Sequence, residues 1–394
     1  MKTTLKTAQW GRVRTQIVSA DEPGAWSDWQ HNLVLDQGLN YFADGQTTFA
    51  DCFAHCLVGS SASPNSYASG AVTFTQAGYT VTASGAFFTN PMIGGLLKFG
   101  SGSGGAEQYI SAVSGDGLSA TVSASATVVL PVAGVVWLVQ QTGLVAQLYD
   151  SDTYDAADGN CTTTFAGDQI TLLRTFVFPV KSTPYNVNEI GYSDGDTVCG
   201  RIVLPATDVV PPTSYYRVQL ELTFTQSPGA PVAVQNVGTN CDTAGTFSIN
   251  NWACGCVNSD GTSGKQGGNG GAGDPRILDG FGPMQLAFHT DAPPTNYASI
   301  STESAVNQHE NYAFGTGKPS HTGQPVGVGV NSGSFGFTSA GETCNAILFG
   351  WNCYSPHYIS PVCVLLLTTP FALPNGYATG SFTLKWIYSR TLVN

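Results

Sequence analysis

Charged residues are scarce in this 394-residue chain and make up 10% of it, whereas ordinary soluble domains have about 25%. The charges that are present are mostly acidic, with 26 Asp and Glu against 14 Lys and Arg and a net charge of −12. Proteins that bind nucleic acids need clustered bases to displace counterions from the phosphates. The charge balance therefore argues against nucleic acid as a partner.

Long apolar runs are also lacking. The longest lies at residues 362–367, far short of the roughly 18 residues that a membrane-spanning helix needs. Residues 1–14 are polar and include no apolar stretch of the kind found in a secretory signal. We therefore expect no membrane span and no signal peptide, and a protein that assembles in the cytoplasm of its cell.

Helical patterns are rare, while turn-forming residues are abundant, with 47 Gly and 21 Pro. Short runs of alternating apolar and polar residues recur between these turns, which is typical of β-strands. In the clearest run, residues 216–224, the even positions are apolar and the odd positions mostly polar. The sequence predicts an all-β fold of antiparallel β-sandwich domains. One early helix is expected over residues 33–43, with Asn32 as its N-cap.

Shifts in composition predict three domains. Residues 1–68 and 136–228 are expected to form an N-terminal β-sandwich that anchors the protein. Residues 69–135, rich in Gly, Ser, Thr and Val, are expected to be a small β module inserted into it. Residues 229–394 follow a Pro-rich joint at 228–231 and are expected to form an outward-facing C-terminal β domain.

The chain has ten cysteines. Without a secretory signal, we expect reduced thiols that pack as small apolar side chains. Cys241 with Cys254 or Cys256, and Cys344 with Cys353, are near enough in sequence to pair after release from the cell. Spacing alone does not decide their connectivity.

Two tight groups could in principle bind a metal, namely Cys52-x-x-His55-Cys56 and Cys254-x-Cys256. A structural zinc site needs four ligands, and the sequence marks no fourth ligand for either group. Buried thiols are the simpler interpretation. No metal or other cofactor is therefore expected at these positions.

The densest acidic stretch, residues 150–160, could offer oxygen ligands to calcium. Tyr154 and Asp155 stand where an EF-hand loop would need Asp or Asn followed by Gly, and no Glu closes the loop. A polar loop between strands is favoured. The sequence also contains no short hydrolase or metalloprotease motif. We expect no catalytic residues and do not expect an enzyme.

Four bases fall within the first fourteen residues, namely Lys2, Lys6, Arg12 and Arg14, with no acid before Asp21. A basic end on an acidic chain is suited to docking onto an acidic neighbour. The alternative interpretation is a solvated basic tail. These four residues are the candidate docking residues.

Aromatic residues stand beside turn residues in the C-terminal part. Trp252, Trp351, Tyr354 and Tyr358 are candidate receptor contacts, because aromatic faces bind sugars. The alternative is that they belong to the core or to an interface.

Several stretches, taken in order, resemble virion proteins of tailed bacteriophages. Residues 32–40, Asn-Leu-Val-Leu-Asp-Gln-Gly-Leu-Asn, resemble the N-L-[IV]-[LT]-D-x-G-L-[ND] opening of that family. Residues 175–179 and 187–193 resemble its R-T-F-x-F…x-E-I-G stretch. Residues 200–205 and 217–223 resemble its ending, F-x-R-x-x-L-P followed by an alternating strand.

The resemblance covers residues 10–60 and 165–225, so residues 69–135 look like an insertion and residues 229–394 are unmatched. It implies a structural component of a virion, such as a tail, collar or fibre appendage. Such a subunit would form a homo-oligomer with other virion proteins as partners. Three-fold symmetry is expected by analogy with fibres, and five- or six-fold symmetry would suit a collar or tail. The alternatives are a tip that binds a host glycan or receptor and, less favoured, a polysaccharide-degrading enzyme.

Overall fold

The computed structural model describes residues 2–19, 24–44, 51–99, 107–155, 162–166, 169–227, 232–235, 244–252, 284–289, 320, 322–341, 343–352, 359–372 and 375–392. Of the residues that can be interpreted, 58% lie in strands and 6% in helices. The predicted all-β class is confirmed.

The strands of the first half are β1 (Lys2–Val18), β2 (Gln30–His31), β3 (Leu33–Val34), β4 (His55–Gly59), β5 (Ser66–Ala68), β6 (Phe74–Ala83), β7 (Leu96–Phe99), β8 (Gln108–Val113), β9 (Ser119–Val132), β10 (Gly134–Trp137), β11 (Gln147–Ser151), β12 (Thr162–Ala166) and β13 (Gln169–Phe178). The strands of the second half are β14 (Tyr185–Ser193), β15 (Val198–Val210), β16 (Tyr215–Ser227), β17 (Val232–Gln235), β18 (Ala244–Trp252), β19 (Met284–His289), β20 (Val328–Ala340), β21 (Thr343–Asn352), β22 (Ile359–Ala372) and β23 (Asn375–Arg390). The described α-helix is α1 (Asp36–Ala43), and short 3-10 turns lie at Asp51–Phe53 and Asn90–Met92.

The first sheet joins strands from both ends of the described chain. Its order is β12-β13-β16-β1-β23-β20, with β2 also paired to β1. Strand β1 is antiparallel to β16 but parallel to β23, with Lys2 opposite Thr383. Strands β20 and β23 of the predicted C-terminal domain thus complete a sheet with the N-terminal region. The predicted joint at 228–231 lies outside the described residues, and the division into three domains stays a prediction.

The second sheet, β11-β4-β14-β15-β3, provides the other layer of the sandwich. The apolar residues Val218, Leu220 and Leu222 of β16 are buried as predicted, but the polar residues Gln219 and Thr223 are buried as well. The phenol of Tyr216 reaches across to β15, where its OH donates to Asp208 Oδ2 at 2.6 Å. Burial of that phenol raises its pKa, and the Asp208 carboxylate raises it further.

Helix α1 begins at Asp36 rather than at residue 33, and Asn32 does not cap it; the N-cap position is Leu35. Leu33 and Val34 instead form β3, which pairs with β15. The helix packs against β15, β20 and β23. A Cβ on Gly38 would lie 2.3 Å from the carbonyl oxygen of Cys199, so this close approach requires glycine.

Residues 66–137 form the third sheet, β5-β10-β7-β8-β9-β6. Its core is its own: Phe74 is fully buried, and its ring centroid lies 5.4 Å from that of Phe88 and 5.9 Å from that of Phe99. Ser66 stands opposite Trp137 in the pairing of β5 with β10. The chain therefore enters and leaves this sheet at adjacent positions.

A buried ion pair holds both connections to this sheet. Arg201 and Glu189 have fully buried side chains, with Nη2 2.7 Å from Oε2. Arg201 donates to the Ser63 carbonyl at 3.0 Å and to Asn65 Oδ1 at 2.6 Å on the entering connection. Glu189 accepts from the backbone N–H groups of residues 145 and 146, at 3.1 and 2.7 Å, on the leaving connection. The pair thus ties the third sheet to the second.

A second buried ion pair joins the start of α1 to the end of β23. Arg390 pairs with Asp36 and donates to the Val34 carbonyl at 2.9 Å. The phenol of Tyr109, in the third sheet, donates to the same Asp36 oxygen at 3.0 Å. Burial of that phenol raises its pKa, and the Asp36 charge adds to the effect. Three distant parts of the chain meet at this carboxylate.

The fourth sheet, β17-β18-β22-β21-β19, lies wholly in the C-terminal part. Its strands are antiparallel, with β22 between β18 and β21. Within the described residues, no helix combines the length and the apolar character needed to cross a membrane.

Candidate interaction surface

The outer face of β1 carries an array of indole and guanidinium groups. Along this strand Gln9, Gly11 and Val13 are buried, while the alternate residues between them are half-buried and point to the other side. We call the array on that other side the Trp–Arg ladder; it consists of Trp10, Arg12, Arg14, Trp26, Trp29 and Arg217.

Cross-strand hydrogen bonds with β16 fix the arginines. Arg12 faces Glu221, with Nη2 donating to Oε2 at 2.9 Å. Arg14 faces Gln219, and its Nε donates to Oε1 at 2.8 Å. Opposed side chains on adjacent strands lie close enough to interact in this way. The β1–β16 register therefore sets the spacing of the ladder.

The third arginine continues the pattern. Arg217 of β16 faces Gln16 of β1, and its Nη1 donates to Gln16 Oε1 at 2.7 Å. Its other terminal nitrogen pairs with Asp155. Thus, three successive cross-strand pairs on this face each place a guanidinium opposite a side chain that accepts its hydrogen bond.

Backbone pairing places two of the tryptophans. Ser27 N–H donates to the Thr15 carbonyl at 2.8 Å, and Gly24 N–H donates to the Ile17 carbonyl at 3.0 Å. The side-chain amide of Gln16 donates to the Gly24 carbonyl at 2.6 Å. Residues 24–31 thereby run along β1 and bring Trp26 and Trp29 to the arginines.

The guanidinium groups stack on the indole rings. Arg12 Cζ lies 4.4 Å and Arg14 Cζ 4.7 Å from the centroid of Trp29. Arg14 Cζ lies 4.9 Å and Arg217 Cζ 5.0 Å from the centroid of Trp26. Cation–π contacts of this kind contribute about 0.5–2 kcal/mol each.

The three arginines differ in charge compensation. Arg12 is paired with Glu221 and Arg217 with Asp155. Among the residues that the structure describes, the polar contact of Arg14 is to the neutral amide of Gln219. The Nη1 and Nη2 donors of Arg14 have no acceptor within that part of the chain. The ladder therefore has one positive charge without a described carboxylate partner.

Two of the four predicted docking bases, Arg12 and Arg14, belong to the ladder. Lys2 and Lys6 lie on the same strand, but their side chains are outside the described residues. The described part of the basic segment is a strand between β16 and β23 rather than a free tail. Its docking role stays a prediction.

The tryptophans of the ladder were not among the candidate residues. A signal for them was present in the sequence. Trp10, Trp26 and Trp29 are three of the seven tryptophans in the chain, and they bracket Arg12 and Arg14. Sequence alone did not indicate that residues 24–31 would fold back along β1.

The candidate receptor contacts lie in or next to the fourth sheet. Trp252 ends β18, and Trp351 is the penultimate residue of β21. In the pairing with β22, Trp252 is opposite Cys363 and Trp351 is opposite Ser360. Both backbones therefore lie at the same end of this sheet. Tyr354 and Tyr358 lie outside the described residues.

The side chains of Cys52, Cys56 and Cys199 are buried. Burial raises the pKa of the Cys56 thiol, and the charge of Asp150 raises it further. Nδ1 of His55 lies 3.0 Å from Asp150 Oδ1. Within the described part of the chain, no group of three His, Cys, Asp or Glu side chains could hold a metal ion.

Several other candidates fall outside what the structure describes. These are residues 156–160 of the acidic stretch, the Cys254-x-Cys256 group, and the proposed disulfide partners Cys241 and Cys353, together with the side chain of Cys344.

Comparison of the chain with protein-family models, with curated proteins and with solved structures found no match.

Proposed function

We propose that this chain is a structural component of a bacteriophage virion, a tail, collar or fibre appendage subunit that assembles as a homo-oligomer. The supporting observation is where the family-like stretches lie in the fold. The two buried ion pairs include Asp36 of the opening motif, Glu189 of the second stretch and Arg201 of the third. Gly38 of the opening motif allows the close approach of α1 to the Cys199 carbonyl. The resemblance therefore rests on residues that determine the fold, as expected for a part whose role is mechanical.

Exposed apolar side chains on the third sheet support assembly into an oligomer. Val129 and Leu130 of β9 are 78% and 77% exposed, and Tyr79 of β6 is 58% exposed. Strand β6 lies at the edge of that sheet, where unpaired backbone groups can accept another strand. Exposed apolar patches of this kind mark contact surfaces, and a second copy of the chain is a suitable partner.

The test is to locate the chain in purified particles. Virions banded on a density gradient are analysed by mass spectrometry, and an antibody against the chain is located on them by electron microscopy. We expect the chain to band with the particles at a fixed copy number and to label one place on them. A non-structural protein of the same phage serves as the control. Recovery of the chain only in the soluble fraction of the lysate would contradict the proposal.

A receptor-binding tip is the second candidate function, because Trp252 and Trp351 lie at the same end of the fourth sheet. A glycan array probed with the purified chain tests it. Binding that is lost in both Trp252→Ala and Trp351→Ala, but retained in Trp10→Ala, would support a glycan site there. Release of reducing ends from host polysaccharide would instead indicate an enzyme.

A further inference from the structure

We propose that Arg14, flanked by Trp26 and Trp29, is the receptor for a single carboxylate on an acidic segment of a neighbouring protein. Identifying that neighbour as a virion protein rests on the proposed function, whereas the chemistry of the site does not.

The first argument is the geometry of the donors. Nε of Arg14 is already used by Gln219, and the guanidinium lies within 5 Å of two indole centroids. Stacking uses the face of a guanidinium and leaves its in-plane N–H groups available. Nη1 and Nη2 therefore remain as two donors held in a fixed direction. A carboxylate is the acceptor that such donors bind best.

The second argument is charge. Arg12 and Arg217, on either side, are each neutralised by a carboxylate of the described chain. The site therefore offers one uncompensated cation rather than a row of cations. A polyanionic glycan, with charges at regular intervals, would bring further carboxylates against Glu221 and Asp155. One acidic side chain on a protein surface matches the site better.

The third argument concerns the indole faces. Two guanidinium groups lie within 5 Å of the centroid of Trp29, and two lie within 5.0 Å of that of Trp26. Sugars bind aromatic side chains by stacking on their faces. Since the arginines already occupy positions over these rings, the ladder favours an acidic protein group over a neutral sugar.

The experiment uses the purified full-length chain and a fluorescein-labelled Gly-Ser peptide that carries a single central Glu and an amidated C-terminus, with fluorescence anisotropy as the readout. The matched peptide has Gln in place of Glu. We expect binding of the Glu peptide alone, weakening as NaCl is raised because exposed charges are screened beyond about 10 Å at 0.1 M salt. Equal binding of the two peptides, or no binding of the Glu peptide, would overturn the proposal.

Variants then assign the binding to Arg14. We expect Arg14→Gln to weaken it by about tenfold or more, since hydrogen bonds to charged groups are the stronger class. Arg14→Lys keeps the charge but loses the planar donors, so we expect a clear loss there too. If Arg14→Lys binds the Glu peptide as tightly as the unmodified chain does, the binding needs only a positive charge at this position. The planar donors of Arg14 are then not required, and the proposal fails.

The matched control is Lys181→Gln. It removes the same charge, and Lys181 also stacks on an aromatic ring, with Nζ 4.4 Å from the centroid of Tyr149. We expect this variant to bind the peptide unchanged. If the double variant Asp21→Asn, Glu22→Gln binds the peptide more tightly, carboxylates of the same chain compete with the peptide for Arg14. That result would also overturn the proposal.

Failure of the proposal and failure of the proposed function remain distinguishable. Peptide binding through Arg14 by a chain that is absent from particles would refute the virion role and keep the site. A chain that is present in particles but does not bind the peptide would refute the site alone. If polygalacturonate binds through Arg14 and the peptide does not, the ligand of the site is an acidic glycan. That result would refute the choice of an acidic protein segment as the partner.

Discussion

Neutralising Glu189 should destabilise the protein more than almost any surface change, because its partner Arg201 would remain fully buried with an unpaired charge. Breaking a buried ion pair from one side costs about 3–5 kcal/mol. Glu189 also accepts hydrogen bonds from the backbone N–H groups of residues 145 and 146, on the connection that leaves the third sheet. We therefore expect Glu189→Gln to lower the free energy of unfolding by about 3–5 kcal/mol.

Urea unfolding followed by far-ultraviolet circular dichroism measures this effect. At a slope of about 3 kcal/mol per molar urea, the midpoint should fall by about 1–1.7 M. The control is Glu107→Gln, because Glu107 is 43% exposed and lies 3.6 Å from Lys98. An exposed pair of this kind contributes about 0–1 kcal/mol, so its midpoint should barely move.

Double substitution sharpens the test. Glu189→Leu combined with Arg201→Met removes both buried charges, and the loss should be smaller than for Glu189→Leu alone. If Glu189→Gln shifts the midpoint no further than Glu107→Gln does, the ion pair does not stabilise the fold as argued.

Three further predictions follow from the packing. Deleting residues 69–135 and closing the gap with a short Gly-Ser linker should leave cooperative urea unfolding, because Ser66 and Trp137 are paired neighbours; loss of cooperativity would refute this. Phe74→Ala should lower the free energy of unfolding by about 3–5 kcal/mol, and limited proteolysis should then cleave the third sheet faster than the rest of the protein. Burial raises the pKa of Tyr185 to about 12. The neutral phenol therefore contributes fully to the free energy of unfolding below about pH 10, and this contribution is lost as the pH rises to 12. In Tyr185→Phe, the free energy of unfolding should fall less steeply between about pH 10 and 12.

Alternation of apolar and polar residues correctly predicted the all-β class and the strand at residues 216–224, which lies within β16. In β16 the residues predicted to face inward are buried, because side chains on a strand alternate between faces. The helix predicted over residues 33–43 was wrong at its start. Leu33 and Val34 lie on β3 instead, because β15 offers them backbone partners. A local pattern cannot include a partner more than 160 residues away.

The two buried ion pairs and the Trp–Arg ladder could not be predicted for a related reason. Arg201 and Glu189 are twelve residues apart in sequence, but the connections that they hold come from other parts of the chain. Arg14 was recognised as a base in a basic segment, which is a property of composition. Its stacking on Trp26 and Trp29 depends on residues 24–31 pairing with β1, which no periodicity indicates.

The parallel pairing of β1 with β23 also has a consequence for synthesis on the ribosome. One of the three partner strands of β1, β23, follows about 360 residues after it, which at about 5–20 residues per second takes about 20–70 s. During that time the edge of β1 is open to pairing with other chains. Translation that stops early leaves this edge permanently exposed, so truncated chains should aggregate or be degraded rather than enter an assembly. Completion of the first sheet thus requires translation through β23.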